Sequence, residues 1–275
     1  MPSIYAHDKF GDMVLEKMPK EERKIVRQYY QSFQIGLQGP DYLFFYKERK
    51  EDKYRRKGYK LHRQDAYEFM KNAVEVVRMH GKESREYSYA LGFILHFVLD
   101  SECHPYIGEA EKETGCSHAE IECDFDYMNL LQDQQIPNRF KLAKLVPTSL
   151  AVAECMEPFY DEDMTVIKVQ SALKRMRRTK ALYYIPRPVK RALVQFVLKK
   201  QNRPNRIFQQ AILPDRNEKC RKETDHLYEL MEQSVMKALY LIDNFSSAID
   251  GGVLDEGFHK DFLGRKIEPE IEIEF

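Results

Sequence analysis

The sequence predicts an all-α protein. Apolar residues recur at spacings of three and four along most of the chain, and the stretches so patterned stop at Gly or Pro. Period-two alternation occurs only in EPEIEIEF at 268–275, which reads as a tail. The 275 residues are 43% hydrophobic and 32% charged, enough apolar material for a sizeable core. No internal repeat and no Pro/Gly/Ser linker divides the chain, so residues 1–275 are expected to form a single domain, a multi-helix bundle.

In chain order, KEERKIVRQYYQSFQIGLQ at 20–38 reads as one helix that stops at Gly39-Pro40. RQDAYEFMKNAVEVVRMHG at 63–81 is a second amphipathic helix, ended by Gly81. SREYSYALGFILHFVLDSEC at 84–103 is too apolar to be anything but buried, and Pro105 is expected to close it. SHAEIECDFDYMNLLQD at 117–133 follows, with Ser117 placed to cap it. Shorter helical patterns cover 139–145 and 149–160, and longer ones cover 161–184, 187–200 and 222–249. The total is about eight or nine helices.

Charge excludes less than it might. Lys plus Arg and Asp plus Glu both number 44, so no global bias points to nucleic acid. The segments 48–60 and 174–206 are locally basic with interleaved aromatics and could hold phosphates, but solvated helix faces are the simpler reading. The N-terminal residues lack a basic stretch followed by an apolar one, and no run of about 18 apolar residues occurs. Five cysteines without a C-x-x-C pair do not look like a disulfide framework. A reduced, cytoplasmic protein is the expectation.

One pattern conflicts with simple burial. His96, Asp100 and His104 recur every four residues along the most apolar helix, so they share a face. A buried, unpaired carboxylate costs several kcal/mol, roughly, so Asp100 needs a counter-charge: protonated His96 or a metal ion. His104, just before Pro105, is expected to leave the helix and reach back toward a neighbouring site. His118 and Glu122 repeat the four-residue spacing at the start of the next helix, a common way to offer two donors to one zinc. Upstream, His7, Asp41 and His62 complete a set of five histidines and three carboxylates. Each alone reads most simply as a core or capping residue, but two such pairs within 30 residues seldom coincide by chance. Cys103, Cys116 and Cys123 match no common zinc spacing and read as small core residues.

The motifs YAHDKFGD, GPD, LHRQD, GFILHFVLDSECHP and CSHAEIECD stand in an order that resembles the zinc-dependent phospholipase C family, whose helical fold is shared with P1/S1 nucleases. The resemblance covers about residues 5–125, with metal motifs from 7 to 122. It implies a phosphoesterase with two or three zinc ions. Asp41, His62, His96 and Asp100 would hold one zinc, and His104, His118 and Glu122 a second. His7 and Asp100 would join the chain's amino terminus on a third, with Asp100 bridging. Family members typically present a tryptophan amine there, and this chain has no tryptophan, so a two-metal centre stays open.

The chemistry so implied is attack by a metal-activated water on a phosphodiester, with Asp41 as catalytic base. Tyr42, Phe44, Phe45 and Tyr46 could wall a substrate, though core packing is their simpler role. The substrate would be a small-molecule or phospholipid phosphoester, with nucleic acid less favoured. The alternatives are a P1/S1-type nuclease or phosphomonoesterase, and a non-catalytic helical protein with structural zinc.

Overall fold

The most apolar helix is the axis of the molecule. The computed structural model describes residues 3–46, 53–200 and 208–267. Among them run eleven α-helices and no named strand. They are α1 (Ile4–Lys17), α2 (Lys20–Gln28), α3 (Tyr30–Gly36), α4 (Lys53–Leu61), α5 (Ala66–His80) and α6 (Arg85–Thr114). The rest are α7 (His118–Gln132), α8 (Leu150–Met156), α9 (Val166–Leu182), α10 (Pro188–Lys200) and α11 (Arg221–Ile249). A 3₁₀ segment, Gly39–Phe45, links α3 toward α4. No described helix is long and apolar enough to cross a membrane. The 268–275 tail lies outside the described residues.

Every residue of α6 from Tyr87 to Ser101 is buried. Such a helix needs neighbours on all sides, and it has them: α1, α2, α3, α5, α7, α8 and α11 all pack against it. Ser84 caps its start, accepting from the Tyr87 N–H at 3.1 Å, and Gly115 ends it in the left-handed conformation at φ +68°.

Two expectations need correction. Pro105 does not close the helix; α6 continues to Thr114, because buried Ile107 and Ala110 hold the following turns in the core. His104 therefore stays helical, one turn beyond Asp100. The carbonyl of Ser101, which Pro105 cannot satisfy, faces Gly264, where a Cβ would come within 2.4 Å of it. The 20–38 stretch is also two helices. The chain leaves helical geometry at Tyr29 (φ −118°, ψ 41°), whose carbonyl accepts the Ser88 hydroxyl at 3.1 Å.

α3 crosses α6 at two glycines. A Cβ on Gly92 would lie 2.2 Å from the Phe33 carbonyl oxygen and 3.0 Å from the Gly36 Cα. A Cβ on Gly36 would lie 2.3 Å from the Tyr89 carbonyl oxygen. Backbone meets backbone here, so no side-chain motion can make room.

The start of α1 is held from another helix. Ser3 makes no side-chain cap, and buried Asp126 on α7 accepts the Ala6 N–H at 2.8 Å instead. A carboxylate at a helix N-terminus complements the dipole and fills an orphan donor's need. His7 is the next residue, so this contact sets where its ring points.

The glycine crossing yields a contrasting pair of variants. Gly92→Ala should destabilise the protein by about 1–3 kcal/mol through overpacking against backbone. Gly108→Ala in the same helix, where a Cβ meets nothing within 4 Å, should stabilise it by about 0.4–1 kcal/mol. Denaturant unfolding of both variants checks the pair, and equal midpoints would refute the close approach.

Candidate metal centre

All eight donors named from the sequence converge. α1 supplies His7, the 3₁₀ segment Asp41, the residue after α4 His62, α6 His96, Asp100 and His104, and α7 His118 and Glu122. Seven of them have side chains less than about a tenth exposed; His118, at 35%, marks the open side.

Three groups can be drawn within which all donor atoms lie within 4.8 Å of one another: His7, His96 and Asp100; Asp41, His62 and His96; and His104, His118 and Glu122. Asp100 stands between them. Its Oδ1 is 3.2 Å from His7 Nε2, while Oδ2 is 3.2 Å from His96 Nε2 and 3.7 Å from His104 Nδ1. Asp41 Oδ1 lies 3.0 Å from His62 Nε2 and 4.0 Å from His96 Nε2. Glu122 Oε1 lies 3.3 Å from His118 Nε2 and 3.8 Å from His104 Nε2.

Main-chain carbonyls orient three of the rings. The Nδ1–H groups of His62, His96 and His104 donate to the carbonyls of Gly58 (2.7 Å), Leu37 (3.1 Å) and Phe262 (2.7 Å). A neutral imidazole has one proton, and each ring spends it there. Each Nε2 then turns a lone pair toward a carboxylate, an arrangement that repels unless a cation lies between. His96 Nε2 and His7 Nδ1 are buried without a hydrogen-bond partner among the described residues. Leaving such an atom unpaired costs about 1–3 kcal/mol. Zinc answers the demand at His96, since it takes neutral imidazole nitrogen and carboxylate oxygen together.

Gly39 makes one of these approaches possible. It sits at φ +47°, and a Cβ there would fall 2.1 Å from His96 Cδ2. The turn of the chain that presents Asp41 thus lies directly on the His96 ring. Phe262 packs on the other members, with its ring 5.2 Å from His62 and 5.7 Å from His96.

The charges push back on the metal-free protein. Burial by itself would raise the Asp100 carboxyl, but His104 and His96, with a hydrogen bond from His7, hold it well below the usual range. Burial pulls the His104 imidazole down, yet Asp100 and Glu122 outweigh it and push it up to about 9. Without metal, then, protons supply part of the counter-charge.

A family model for zinc-dependent phospholipase C matches residues 6–165, which include all eight donors. The chain belongs to this family. Comparison with curated proteins and with solved structures returned no match. The zinc dependence of the family and the grouping of the histidines and carboxylates agree.

The other expectations fall out differently. The amino terminus lies outside the described residues, as do parts of the 48–60 and 174–206 segments. Cys103, Cys116 and Cys123 enter none of the three groups, and burial pushes the Cys103 and Cys123 thiols up, which suits small core residues. Tyr42 is fully buried edge-on against Tyr160 and is core. Phe44 is half-buried, 5.2 Å from His62, and borders the centre.

Sequence reading missed two features. Glu111, seven residues before His118, accepts its backbone N–H at 2.9 Å and lies 3.5 Å from its Nδ1, steadying the one exposed ring. Lys180 on α9 is buried, and burial lowers its ammonium against the pull of Asp126, Cys123, Asp41 and Glu122. It brings a cation to the edge of the acidic cluster from beyond the family-matched stretch. Nothing in its basic surroundings marked it in the sequence.

The His104 shift gives a pH dependence. Its folded value of about 9 exceeds the ordinary 6.5, so its protonation stabilises the metal-free protein fully below 6.5 and is lost as pH rises through about 9. Metal requires the neutral ring, so apparent zinc affinity should climb across that window and then level. Competition against a chelator of known affinity at several pH values measures it. A flat profile after correction for the chelator's own protonation would show that His104 carries no proton before metal binds.

Proposed function

We propose that this protein is a zinc-dependent phosphodiesterase of the phospholipase C kind, acting on a phospholipid or a related small phosphodiester. The observation that carries the reading is the convergence of three buried carboxylates with five imidazoles, one of them, at His96 Nε2, without a hydrogen-bond partner among the described residues, in a chain of a zinc-dependent phospholipase family. His62, His96, Asp41 and Asp100 would hold one zinc, and His104, His118 and Glu122 another. His7 and Asp100 would contribute to a third, with Asp100 bridging.

Zinc in such a centre supplies a water acidified toward neutrality and positive charge opposite the phosphoryl oxygens. The chain's own residues do the rest. Asp41 keeps Oδ1 near His62 and His96, which leaves its Oδ2 to take the proton of an attacking water. The carbonyls of Gly58, Leu37 and Phe262 hold the three rings in one tautomer, so no donor reorganises during turnover. The apolar wall of Phe44 and Phe262 beside His62 lowers the local dielectric, which strengthens charge stabilisation at phosphorus. The half-exposed His118 favours an open, catalytic centre over a closed structural one.

The purified protein should retain about two or three zinc ions per chain and lose hydrolysis when they are chelated. Asp100→Asn should cost both metal and activity by an order of magnitude or more, since it removes charge shared by two sites. His226→Ala should change neither, because that ring is exposed and bonded to Glu229. Elemental analysis beside assays on phosphatidylcholine, a soluble phosphodiester and single-stranded DNA checks all three statements. Faster cleavage of the DNA would favour a P1-type nuclease, and full zinc with no hydrolysis would make the metal structural.

A further inference from the structure

The stretch after the family-matched residues has an unusual charge. Residues 164–197 contain nine Lys and Arg and no Asp or Glu. Lys174, Arg175, Arg177 and Arg178 on α9 are exposed, as are Arg187 and Lys190 at the start of α10. Segments nearby add to the same sign. Lys141 and Lys190 both lie within 6 Å of the Tyr184 ring centroid, at 5.7 and 5.9 Å, and Lys144 shares a cleft with Arg177.

α10 carries a second feature in the midst of this charge. Val189, Leu193, Phe196 and Val197 are 81%, 61%, 58% and 44% exposed. Their spacing of four, three and one places them on one face of the helix. The opposite side turns inward, where Arg191 and Val194 are half-buried and Gln195 lines a cavity of about 670 Å³ shared with α7. Arg191 donates to the Pro186 carbonyl at 2.9 Å, which closes the turn that enters the helix. Leu182, just before the connection, is 67% exposed.

A soluble helix ordinarily buries such a row. An apolar face flanked by basic residues, on helices whose own sequences hold no Asp or Glu, is instead the composition of a helix lying in a lipid headgroup layer. We propose that α10, with the outer face of α9, is a docking surface for an anionic phospholipid membrane. Charge argues against a second copy of the chain, because the same face would bring like charges together. The aliphatic Val189, Leu193 and Val197 cannot stack on bases, which argues against single-stranded nucleic acid. The proposal rests on the lipid reading of the substrate for its purpose, but its test needs no catalysis.

The absence of tryptophan makes the test clean. Phe196→Trp in the full-length protein introduces the only indole, on the apolar row. Its emission should shift to the blue with phosphatidylserine-containing vesicles, and the protein should sediment with them at least tenfold more tightly than with pure phosphatidylcholine, roughly, the preference falling as salt rises. Leu193→Asp should weaken vesicle binding about tenfold or more while its unfolding transition and its hydrolysis of a soluble phosphodiester stay unchanged. An indole that does not move on anionic vesicles, or one moved by a single-stranded oligonucleotide that displaces them, overturns the proposal. Unsubstituted protein that hydrolyses a soluble phosphodiester but does not bind anionic vesicles would sink the docking surface and leave the phosphoesterase standing; unsubstituted protein that binds them without any hydrolysis would do the reverse.

Discussion

A carboxylate in the middle of a buried helix is the constraint on which the rest of this structure turns. Asp100 sits on a buried run of α6, with His7, His96 and His104 around its two oxygens. A lone charge there would cost several kcal/mol, roughly, even after relaxation. The three imidazoles reduce that cost only if some of them carry protons or a metal stands among them. Each ring thus has to be placed to within about an ångström, and much of the packing can be read as the means of doing so.

The means are mostly main chain. α3 meets α6 at Gly36 and Gly92, close enough for the Leu37 carbonyl to receive the His96 Nδ1–H. Two residues later Gly39 turns the chain over the His96 ring and delivers Asp41. Asp126 of α7 holds the start of α1 and so fixes His7, though burial pushes its own carboxyl up to about 7 against the Ala6 N–H and the Lys180 charge. The C-terminal turn at 258–264 reaches back to give the Phe262 carbonyl to His104 and takes the His62 carbonyl in return. Backbone groups have less freedom than side chains, and a site built on them is already organised before metal or substrate arrives.

Local spacing makes the helical class legible and singles out His96, Asp100, His104, His118 and Glu122; His7, Asp41 and His62 stand out only through the order of the motifs, and the fold brings all eight candidates together. Period 3.6 shows a helix, and an i, i+4 His–carboxylate pair on an apolar face shows a conflict that only a cation resolves. The failures were tertiary. α1, which carries His7, is hard to see as a helix in the sequence, because its buried face is interrupted by His7 and Gly11 and its cap comes from Asp126, 120 residues away in sequence. Pro105 looked like a stop, and only the packing of Ile107 and Ala110 carries α6 past it. Tyr29 breaks what the pattern made one helix, through a hydroxyl on another element. Glu111 and Lys180 act through distance in space, which periodicity does not encode.

The family-matched stretch and the remainder divide the work. Residues 6–165 hold every candidate side-chain donor, whereas Phe262, Lys180 and the basic, apolar face of α10 lie beyond them. Donor sets tolerate little change, since metal charge and geometry dictate them. The surroundings that decide what reaches the metals obey no such rule. Lys180 adds a buried cation whose field reaches Asp41 and Glu122, and the α9–α10 face would bias the whole molecule toward an anionic surface at longer range. Both act in the same direction, and both are compatible with a neutral net charge, because the acidic residues that balance them stand elsewhere in the chain. Formal charge therefore hides what the distribution of charge reveals: a molecule neutral overall, with a basic excess after residue 165, where Lys and Arg number 21 against 15 Asp and Glu.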